Sequence, residues 1–180
     1  MSDAASSRPP FGWTRAAQAE LTFRPVTDDD LPFLHRVYAS TRAAELALVP
    51  WSDQQKADFL RMQFRAQHTH YQQYYPHTDW LVIARAGAPA GRLYLQRGAA
   101  EHCIIDIAFL AEHCGQGLGT ALLRDLLDEA AAADKPVSIH VEKFNPAMRL
   151  YRRLGFATVE DKGIYDLMRW TGGSPANARA

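Results

Sequence analysis

The first half of the chain alternates between short stretches with a period of two and longer stretches with helical spacing. Residues 21–26 alternate apolar and polar side chains and predict a first strand. Thr27 precedes three aspartates, which is typical of a capped helix start because acidic side chains favour the positive helix end. We therefore predict one helix over residues 31–46 and a second from Ser52. The apolar face of the second helix is made of Leu60, Phe64, Tyr71 and Tyr75.

The middle of the chain predicts three strands in a row. Residues 80–85 and 92–96 alternate, and the glycines and proline of `GAPAG` between them indicate a hairpin turn. Residues 102–110 form a longer run that is apolar except for Asp106. A strand of this composition has both faces covered, as in the centre of a sheet.

A helix and a further strand follow and decide the topology. The helix ends near Asp134, and a strand is predicted over residues 137–142. The order strand, helix, strand implies a right-handed parallel crossover. The buried stripe of this helix is made of Leu118, Leu122, Leu126 and Ala130.

The last part of the chain predicts a short helix and a hairpin. Asn145 and Pro146 are a favoured helix start, and Gly155 is a favoured left-handed end. Residues 156–160 and 164–170 predict a closing hairpin. The predicted fold class is α/β (mixed α+β), with an antiparallel N-terminal half of the sheet, one βαβ unit and a C-terminal hairpin, flanked by helices.

Composition indicates one domain with two tails. With 180 residues, of which 47% are hydrophobic and 22% charged, the chain can bury a sizeable core. Residues 1–19 and 171–180 are rich in Ala, Ser, Pro and Gly, and we expect both to be disordered. The folded domain is then predicted over residues 20–170.

Charge and hydropathy argue against two classes of partner. Lys+Arg and Asp+Glu each number 20, so no net field attracts nucleic acid or an anionic membrane. No apolar stretch approaches the roughly 20 residues that cross a bilayer, and the N-terminus lacks the apolar core of a secretory signal. A cytoplasmic protein is predicted. Cys103 and Cys114 form no disulfide framework and are expected to be reduced.

The sequence `CGQGLGT` connects the apolar strand to the following helix. A glycine-rich loop at a helix N-terminus is a common anion site, because free N–H groups point outward and the helix dipole favours negative charge. A P-loop would end in Gly-Lys-Ser/Thr, which is absent here. A dinucleotide fingerprint would follow a first strand and would need Gly or Ala at Thr120, so it matches poorly. A glycine-rich turn without a ligand is the plain alternative.

Two motifs give residues 20–170 a resemblance to the Gcn5-related N-acetyltransferase (GNAT) family. The cofactor loop of the family is Arg/Gln-x-x-Gly-x-Gly/Ala, which `CGQGLG` matches at Gly117 and Gly119, while Cys114 replaces the Arg or Gln. The second motif, Asn-x-x-Ala-x-x-x-Tyr-x-x-x-Gly-Phe, resembles `NPAMRLYRRLGF`, in which the alanine falls one place early, at Ala147. The two motifs lie one βαβ unit apart, as they do in the family.

The resemblance implies that the two strands of the βαβ unit splay apart and that the co-substrate acetyl-CoA lodges between them. A backbone N–H near Leu110 would polarise the thioester carbonyl. Asn145 would help to hold the CoA arm, although its place is also explained as a helix cap. Ala111 stands where the family often has proline. The implied cofactor-binding residues are Phe109, Leu110, Ala111, Cys114, Gly115, Gln116, Gly117, Leu118, Gly119, Thr120, Asn145 and Tyr151.

Acyl transfer from a thioester to an amine needs a base for the amine and an acid for the leaving thiolate. Tyr151 stands at the general-acid position of the family, and a phenol of pKa about 10 is close to a thiol of pKa about 8.5. The alternative is a tyrosine that only packs on its helix. Asp106 is the predicted base because burial favours that role, against the alternative of a polar residue satisfied by a neighbouring element. Glu142 is the rival base, and a water chain is the third possibility.

By the same resemblance, the first two helices and their loop set acceptor specificity. Trp51 is predicted to reach the acceptor pocket and Glu45 to meet a cationic amine, and Glu142 is also expected among the acceptor-binding residues. His68 and His70 point apart on a helix, and no Cys or acidic cluster completes a shell, so no metal is predicted. A homodimer is left open.

These observations together predict an N-acetyltransferase. It would move an acetyl group from acetyl-CoA to a primary amine of a small molecule or peptide, by direct transfer in a ternary complex. Direct transfer is expected because no acyl-accepting nucleophile is embedded in the motifs. A non-catalytic acyl-CoA binding or sensing module is the alternative, and a dinucleotide-binding oxidoreductase is a weaker third.

Overall fold

A computed structural model describes residues 12–172, and its centre is one seven-stranded sheet. The strands are β1 (Leu21–Pro25), β2 (Asp79–Arg85), β3 (Ala88–Arg97), β4 (His102–Phe109), β5 (Val137–Glu142), β6 (Ala157–Lys162) and β7 (Tyr165–Trp170). Their order in the sheet is β1-β2-β3-β4-β5-β7-β6. Only the β4–β5 pair is parallel. The predicted fold class, with its antiparallel first half, single βαβ unit and closing hairpin, is confirmed.

Within residues 12–172, five α-helices surround the sheet. They are α1 (Thr14–Gln18), α2 (Leu31–Ala47), α3 (Asp53–Tyr74), α4 (Leu118–Ala132) and α5 (Met148–Arg153). Helices α1, α4 and α5 share the main hydrophobic core, whose members include Leu122, Leu126 and Ile139. Helix α3 covers the opposite face, where the rings of Tyr71 and Tyr94 meet edge to face at 6.3 Å. The sheet is therefore covered on both sides, as the apolar character of β4 predicted.

The predicted helix starts before α2 and α3 are both capping boxes. The Asp30 carboxylate accepts from the Thr27 N–H at 2.8 Å, at the start of a short 3₁₀ turn that leads into α2. The Ser52 hydroxyl accepts from the Gln55 N–H at 3.2 Å, and the Gln55 side chain accepts from the Ser52 N–H at 2.9 Å. Each box satisfies backbone donors that the first turn of a helix leaves free.

The boundary of the predicted N-terminal tail needs a correction, because α1 lies within it. Trp13 is only 2% exposed, and its indole N–H donates to the Glu129 carboxylate at 2.6 Å. The backbone N–H of Ala16 donates to Asp125 on α4 at 2.7 Å. One tryptophan and these bonds to α4 outweigh the Ala- and Ser-rich composition around them. Residues 1–11 and 173–180 lie outside the described residues.

Two local predictions also change. The hairpin between β2 and β3 turns at Ala86 and Gly87, so the remaining residues of `GAPAG` belong to β3. The regular turns of α5 begin at Met148, after a turn in which the Asn145 side chain accepts from the Ala147 N–H at 2.8 Å. Gly155 ends the helix with a φ of 96°, as predicted. Among the helices of residues 12–172, none has the length and apolar character to span a bilayer.

Candidate active site

A gap opens between β4 and β5 where their pairing stops. The two strands pair only from His102–Val137 to Ile104–Ile139. At the same level the β3–β4 register shifts, so that Ile105 is an extra residue of β4 with no partner in β3. A bulge of this kind bends and twists the strand that carries it. The splay expected for the βαβ unit is therefore present, and it begins beside Asp106.

The glycine loop lies at the mouth of this gap and leads into α4. Gly115 and Gly117 have φ values of 73° and 79°, and a Cβ built on either residue meets no atom within 4 Å. Gly117 is the N-cap of α4, and no side chain caps the helix. The N–H groups of Leu118, Gly119 and Thr120 therefore have no partner within the helix. This open backbone fits a ligand with an anionic group.

The backbone of β4 approaches β3 closely at the end of the gap. A Cβ on Gly91 would lie 2.4 Å from the carbonyl oxygen of Ala108 and 3.1 Å from the Cα of Phe109. The glycine is therefore needed for this approach. Gly91 was not singled out in the sequence, where it looked like part of the turn.

The predicted donor at Leu110 is already engaged in the sheet. Its N–H donates to the carbonyl of Ala90 at 2.9 Å. Because successive N–H groups of a strand point to opposite edges, the N–H of Phe109 points to the other edge, where β5 has diverged. The donor that faces the gap is therefore that of Phe109, one residue earlier than expected, and Leu110 is corrected in this respect.

Cys114 lies at the exposed end of the loop and turns back toward β4. Its Sγ is 3.5 Å from the carbonyl oxygen of Leu110 and 3.8 Å from that of Phe109. A thiol is a weak donor, so these contacts orient the side chain away from the open N–H groups. Ala111 begins the short 3₁₀ turn of residues 111–113 between β4 and the loop.

Tyr151 is buried beside the gap on the α4 side of the sheet. The residue is 4% exposed, and its ring packs edge-on against Phe156 with centroids 5.6 Å apart. Burial raises the pKa of the phenol well above its ordinary value, and the negative charge of Asp106 is the second cause. The hydroxyl is therefore protonated at neutral pH and is a proton donor of reduced acidity. Asp106 and Tyr151 come from opposite faces of the sheet.

The carboxylate of Asp106 is fully engaged with neighbouring side chains. Arg92 on β3 donates from Nη2 at 2.9 Å and from Nε at 3.3 Å, and the Tyr71 hydroxyl donates at 3.4 Å. Arg92 is itself 2% exposed and also donates to Gln67 at 3.0 Å. Burial raises the pKa of Tyr71, and the negative charge of Asp106 is the second cause. This arrangement matches the alternative interpretation of Asp106, which is that of a polar residue satisfied by neighbouring elements.

Glu142 and Glu45 meet through an arginine that sequence reasoning missed. Arg42 on α2 donates to Glu142 at 2.6 and 3.0 Å and to Glu45 at 3.1 Å. The hydroxyl of Tyr165 also lies 3.5 Å from Glu142. The Arg42 guanidinium holds the pKa of Glu142 below its ordinary value. The two predicted acceptor-binding carboxylates therefore form one cluster at the end of β5.

Trp51 is not part of the cluster of Arg42, Glu45 and Glu142. It is 42% exposed in the loop between α2 and α3 and packs edge-on against Phe59, with ring centroids 5.3 Å apart. His68 stacks on Phe64, whereas the ring of His70 lies tilted against that of Tyr74. Within residues 12–172, no three His, Cys, Asp or Glu side chains converge so as to hold a metal ion.

A mixed sheet divided between its two parallel strands, with an uncapped glycine loop at the opening, defines the acetyltransferase class of α/β domains. The sequence matches the family model described as an acetyltransferase (GNAT) domain over residues 20–157. The chain therefore belongs to the GNAT family, and the resemblance inferred from the two motifs is confirmed. No curated protein sequence matches the chain significantly.

Solved structures of this family share the fold at low sequence identity. The PaiA N-acetyltransferase from Thermoplasma acidophilum, in complex with coenzyme A, is 15% identical with a TM-score of 0.63, over 84% of this chain and 98% of that one. The ribosomal-protein-S18-alanine N-acetyltransferase from Escherichia coli is 20% identical with a TM-score of 0.55, over 89% and 99%. Arabidopsis thaliana Naa50, in complex with the bisubstrate analogue CoA-Ac-MVNAL, is 16% identical with a TM-score of 0.53, over 84% and 98%.

Proposed function

We propose that the protein is an N-acetyltransferase that moves an acetyl group from acetyl-CoA to a primary amine by direct transfer. The observation that carries this proposal is the gap between β4 and β5, with an open glycine loop at its mouth and the buried phenol of Tyr151 beside it. Family membership supports acyl transfer. The acceptor is proposed to be a small molecule or a peptide, in keeping with the alanine N-acetyltransferase and the peptide-derived analogue among the structural neighbours.

The residues around the gap fit acetyl-CoA. Backbone donors of residues 115–120 would hold the pyrophosphate, because the loop is open and the positive end of α4 points at it. The free edge of β4 at Phe109 would hold the pantetheine arm as a neighbouring strand would. Asn145 has its side chain committed to the Ala147 N–H, so it would contribute through the turn that it stabilises.

Two groups of the chain would act on the reacting atoms. The bound thioester supplies an activated acetyl group. The N–H of Phe109 would stabilise the negative charge that develops on the acyl oxygen, because a fixed donor at that edge needs no reorganisation. Tyr151 would give its proton to the departing thiolate.

Removal of the amine proton has two candidate carboxylates, and each is held by an arginine. Asp106 stays our proposed base, with water as the relay, since Arg92 and Tyr71 occupy its oxygens. Glu142 is the rival. The comparison of Asp106→Asn with Glu142→Gln decides between them. If one variant no longer shows the fall in rate at low pH that the wild type shows, the residue changed in that variant is the base. An unchanged profile in both variants assigns proton removal to water alone.

A non-catalytic acyl-CoA binding module is the second candidate function. It is favoured by one observation, that Asp106 and Glu142 are both paired with arginines. The test is to titrate the protein with acetyl-CoA and then to measure release of CoA thiol with a broad panel of primary amines and peptides. Binding with release supports the enzyme, binding without release supports the sensor, and absence of binding contradicts both. A cytoplasmic location and a homodimer stay predictions.

A further inference from the structure

The glycine loop carries no cationic side chain of its own. Residues 114–120 have the sequence `CGQGLGT`, and the thiol of Cys114 points toward backbone carbonyls. A phosphate diester held only by neutral N–H groups lacks the stronger, charge-assisted bonds that guanidinium groups provide. Positive charge for this loop has to come from other elements of the fold.

Arg85 reaches the loop from β2. It is the last residue of that strand, and the β2–β3 hairpin lies at the same end of the sheet as the end of β4, since the Leu110 N–H donates to Ala90. One Arg85 Nη atom donates to the side-chain oxygen of Gln116. The amide nitrogen of Gln116 in turn donates to the carbonyl of Glu112 at 2.6 Å. Gln116 therefore holds the Arg85 guanidinium beside Gly115 and Gly117.

Arg153 reaches the other end of the loop from α5. Its Nη2 lies 3.5 Å from the hydroxyl oxygen of Thr120, in the first turn of α4. In the part of the chain that the structure describes, neither Arg85 nor Arg153 has a carboxylate within ion-pair distance. By contrast, Arg42 and Arg92 near the gap are both neutralised. The two guanidinium groups at the loop thus keep an unused charge, although each lies against a loop side chain.

We propose that Arg85 and Arg153 bind the pyrophosphate of acetyl-CoA from the two ends of the glycine loop. This inference rests on the proposed function. The ligand would replace a neutral amide oxygen of Gln116 and a hydroxyl of Thr120 by phosphate oxygens, so both arginines would gain an anionic partner without leaving the loop. Gln116 is then a positioning residue that holds Arg85 beside the loop before the ligand binds.

The experiment is a set of calorimetric titrations of the full chain with CoA, 3′-dephospho-CoA and pantetheine. Arg85→Ala and Arg153→Ala are each expected to weaken CoA binding by about tenfold, which corresponds to about 1.4 kcal/mol for the loss of one charge-assisted hydrogen bond. The double variant is expected to lose more than either single variant. Arg36→Ala is the matched control, because Arg36 is exposed on α2, on the opposite face of the sheet. Thermal unfolding of each variant verifies folding.

The three ligands separate the possible contacts. The same loss with 3′-dephospho-CoA and no loss with pantetheine supports the assignment, because only pantetheine lacks the pyrophosphate. A loss that disappears with 3′-dephospho-CoA places the arginines on the 3′-phosphate and overturns it. Unchanged CoA affinity in the double variant, with wild type binding CoA, overturns this inference alone. A wild-type protein that does not bind CoA overturns the proposed function as well.

Discussion

Arg92 and Asp106 form a buried ion pair across neighbouring strands, with two hydrogen bonds of 2.9 and 3.3 Å. Their Cα atoms are not direct partners, since Asp106 pairs with Tyr94 and Ala108 with Arg92. The guanidinium also donates to Gln67 of α3. The pair therefore ties the edge of the gap to the helix that covers it.

Breaking that pair from one side should be costly. Arg92→Leu leaves the carboxylate of Asp106 buried without its partner and is expected to lower the free energy of unfolding by about 3–5 kcal/mol. The double variant Arg92→Leu/Asp106→Leu removes both charges and should recover a large part of that loss. Urea unfolding of the three proteins measures this. A single variant that is no less stable than the double variant would contradict the interpretation.

Tyr151→Phe should separate chemistry from packing. The phenylalanine ring keeps the edge-on contact with Phe156, so the unfolding midpoint should stay unchanged. Loss of the proposed proton donor is expected to lower kcat by about 10²-fold, with CoA affinity within about twofold of wild type. Steady-state kinetics and calorimetry give the two values. Full activity in the variant would exclude Tyr151 as the acid.

Asp30 should make the protein sensitive to acid. The guanidinium of Arg24 and the N–H and hydroxyl of Thr27 lower the pKa of Asp30 to about 2, against about 3.9 in an unfolded chain. Because the folded-state pKa is the lower one, this stabilisation is complete above about pH 4 and is lost as the pH falls toward 2.

The variant Asp30→Asn tests that window. It is expected to cost about 1–2 kcal/mol at pH 6 and clearly less at pH 2.5, measured as the free energy of unfolding in urea. Asp28→Asn, at an exposed position of the same turn, should have little effect at either pH. An equal cost at both pH values would show that ionisation of Asp30 is irrelevant to stability.

Two glycines near the gap should respond to alanine with opposite signs. Gly91→Ala places a Cβ 2.4 Å from the Ala108 carbonyl, so β3 and β4 must move apart, with an expected loss of about 2 kcal/mol or more and weaker CoA binding. Gly119→Ala meets only ordinary contacts, of which Leu150 at 3.7 Å is the nearest. It lies in the first turn of α4, where alanine is preferred by up to about 1 kcal/mol. Thermal unfolding of both variants is the measurement, and equal effects would contradict the contact argument.

Cys114→Arg should tighten CoA binding. Position 114 is exposed at the end of the loop, so a longer cationic side chain can extend to the phosphate side, and one charge-assisted bond is expected to improve affinity about tenfold. Cys114→Ser is the control for loss of the thiol alone. Unchanged or weaker CoA binding by the arginine variant, in a calorimetric titration with CoA, would contradict this expectation.

The sequence was most informative where local chemistry decides the structure. The capping boxes at Thr27 and Ser52, the left-handed Gly155 and the glycine loop all depend on residues close together in the chain, and all could be predicted. The pairing of Asp106 with Arg92 depends on the register of two strands. The same register decides that the N–H of Phe109, and not that of Leu110, faces the gap.

Other features depended on contacts across long stretches of sequence. Arg42 and Glu142 are 100 residues apart, so no local pattern joins them. Arg92 did offer a clue, since it is a charged residue at the start of the predicted strand `RLYLQ`, directly before Leu93. Trp13 likewise stood out in a sequence of small residues, but its burial against α4 required the tertiary structure.

The extra residue of β4 has a consequence for the whole domain. At Ile105, β4 has one residue more than β3 pairs with. Beyond this point β4 and β5 no longer pair with each other. The backbone groups that would otherwise join the two strands are the ones that a substrate can bind. Stability and catalysis therefore compete here for the same backbone groups.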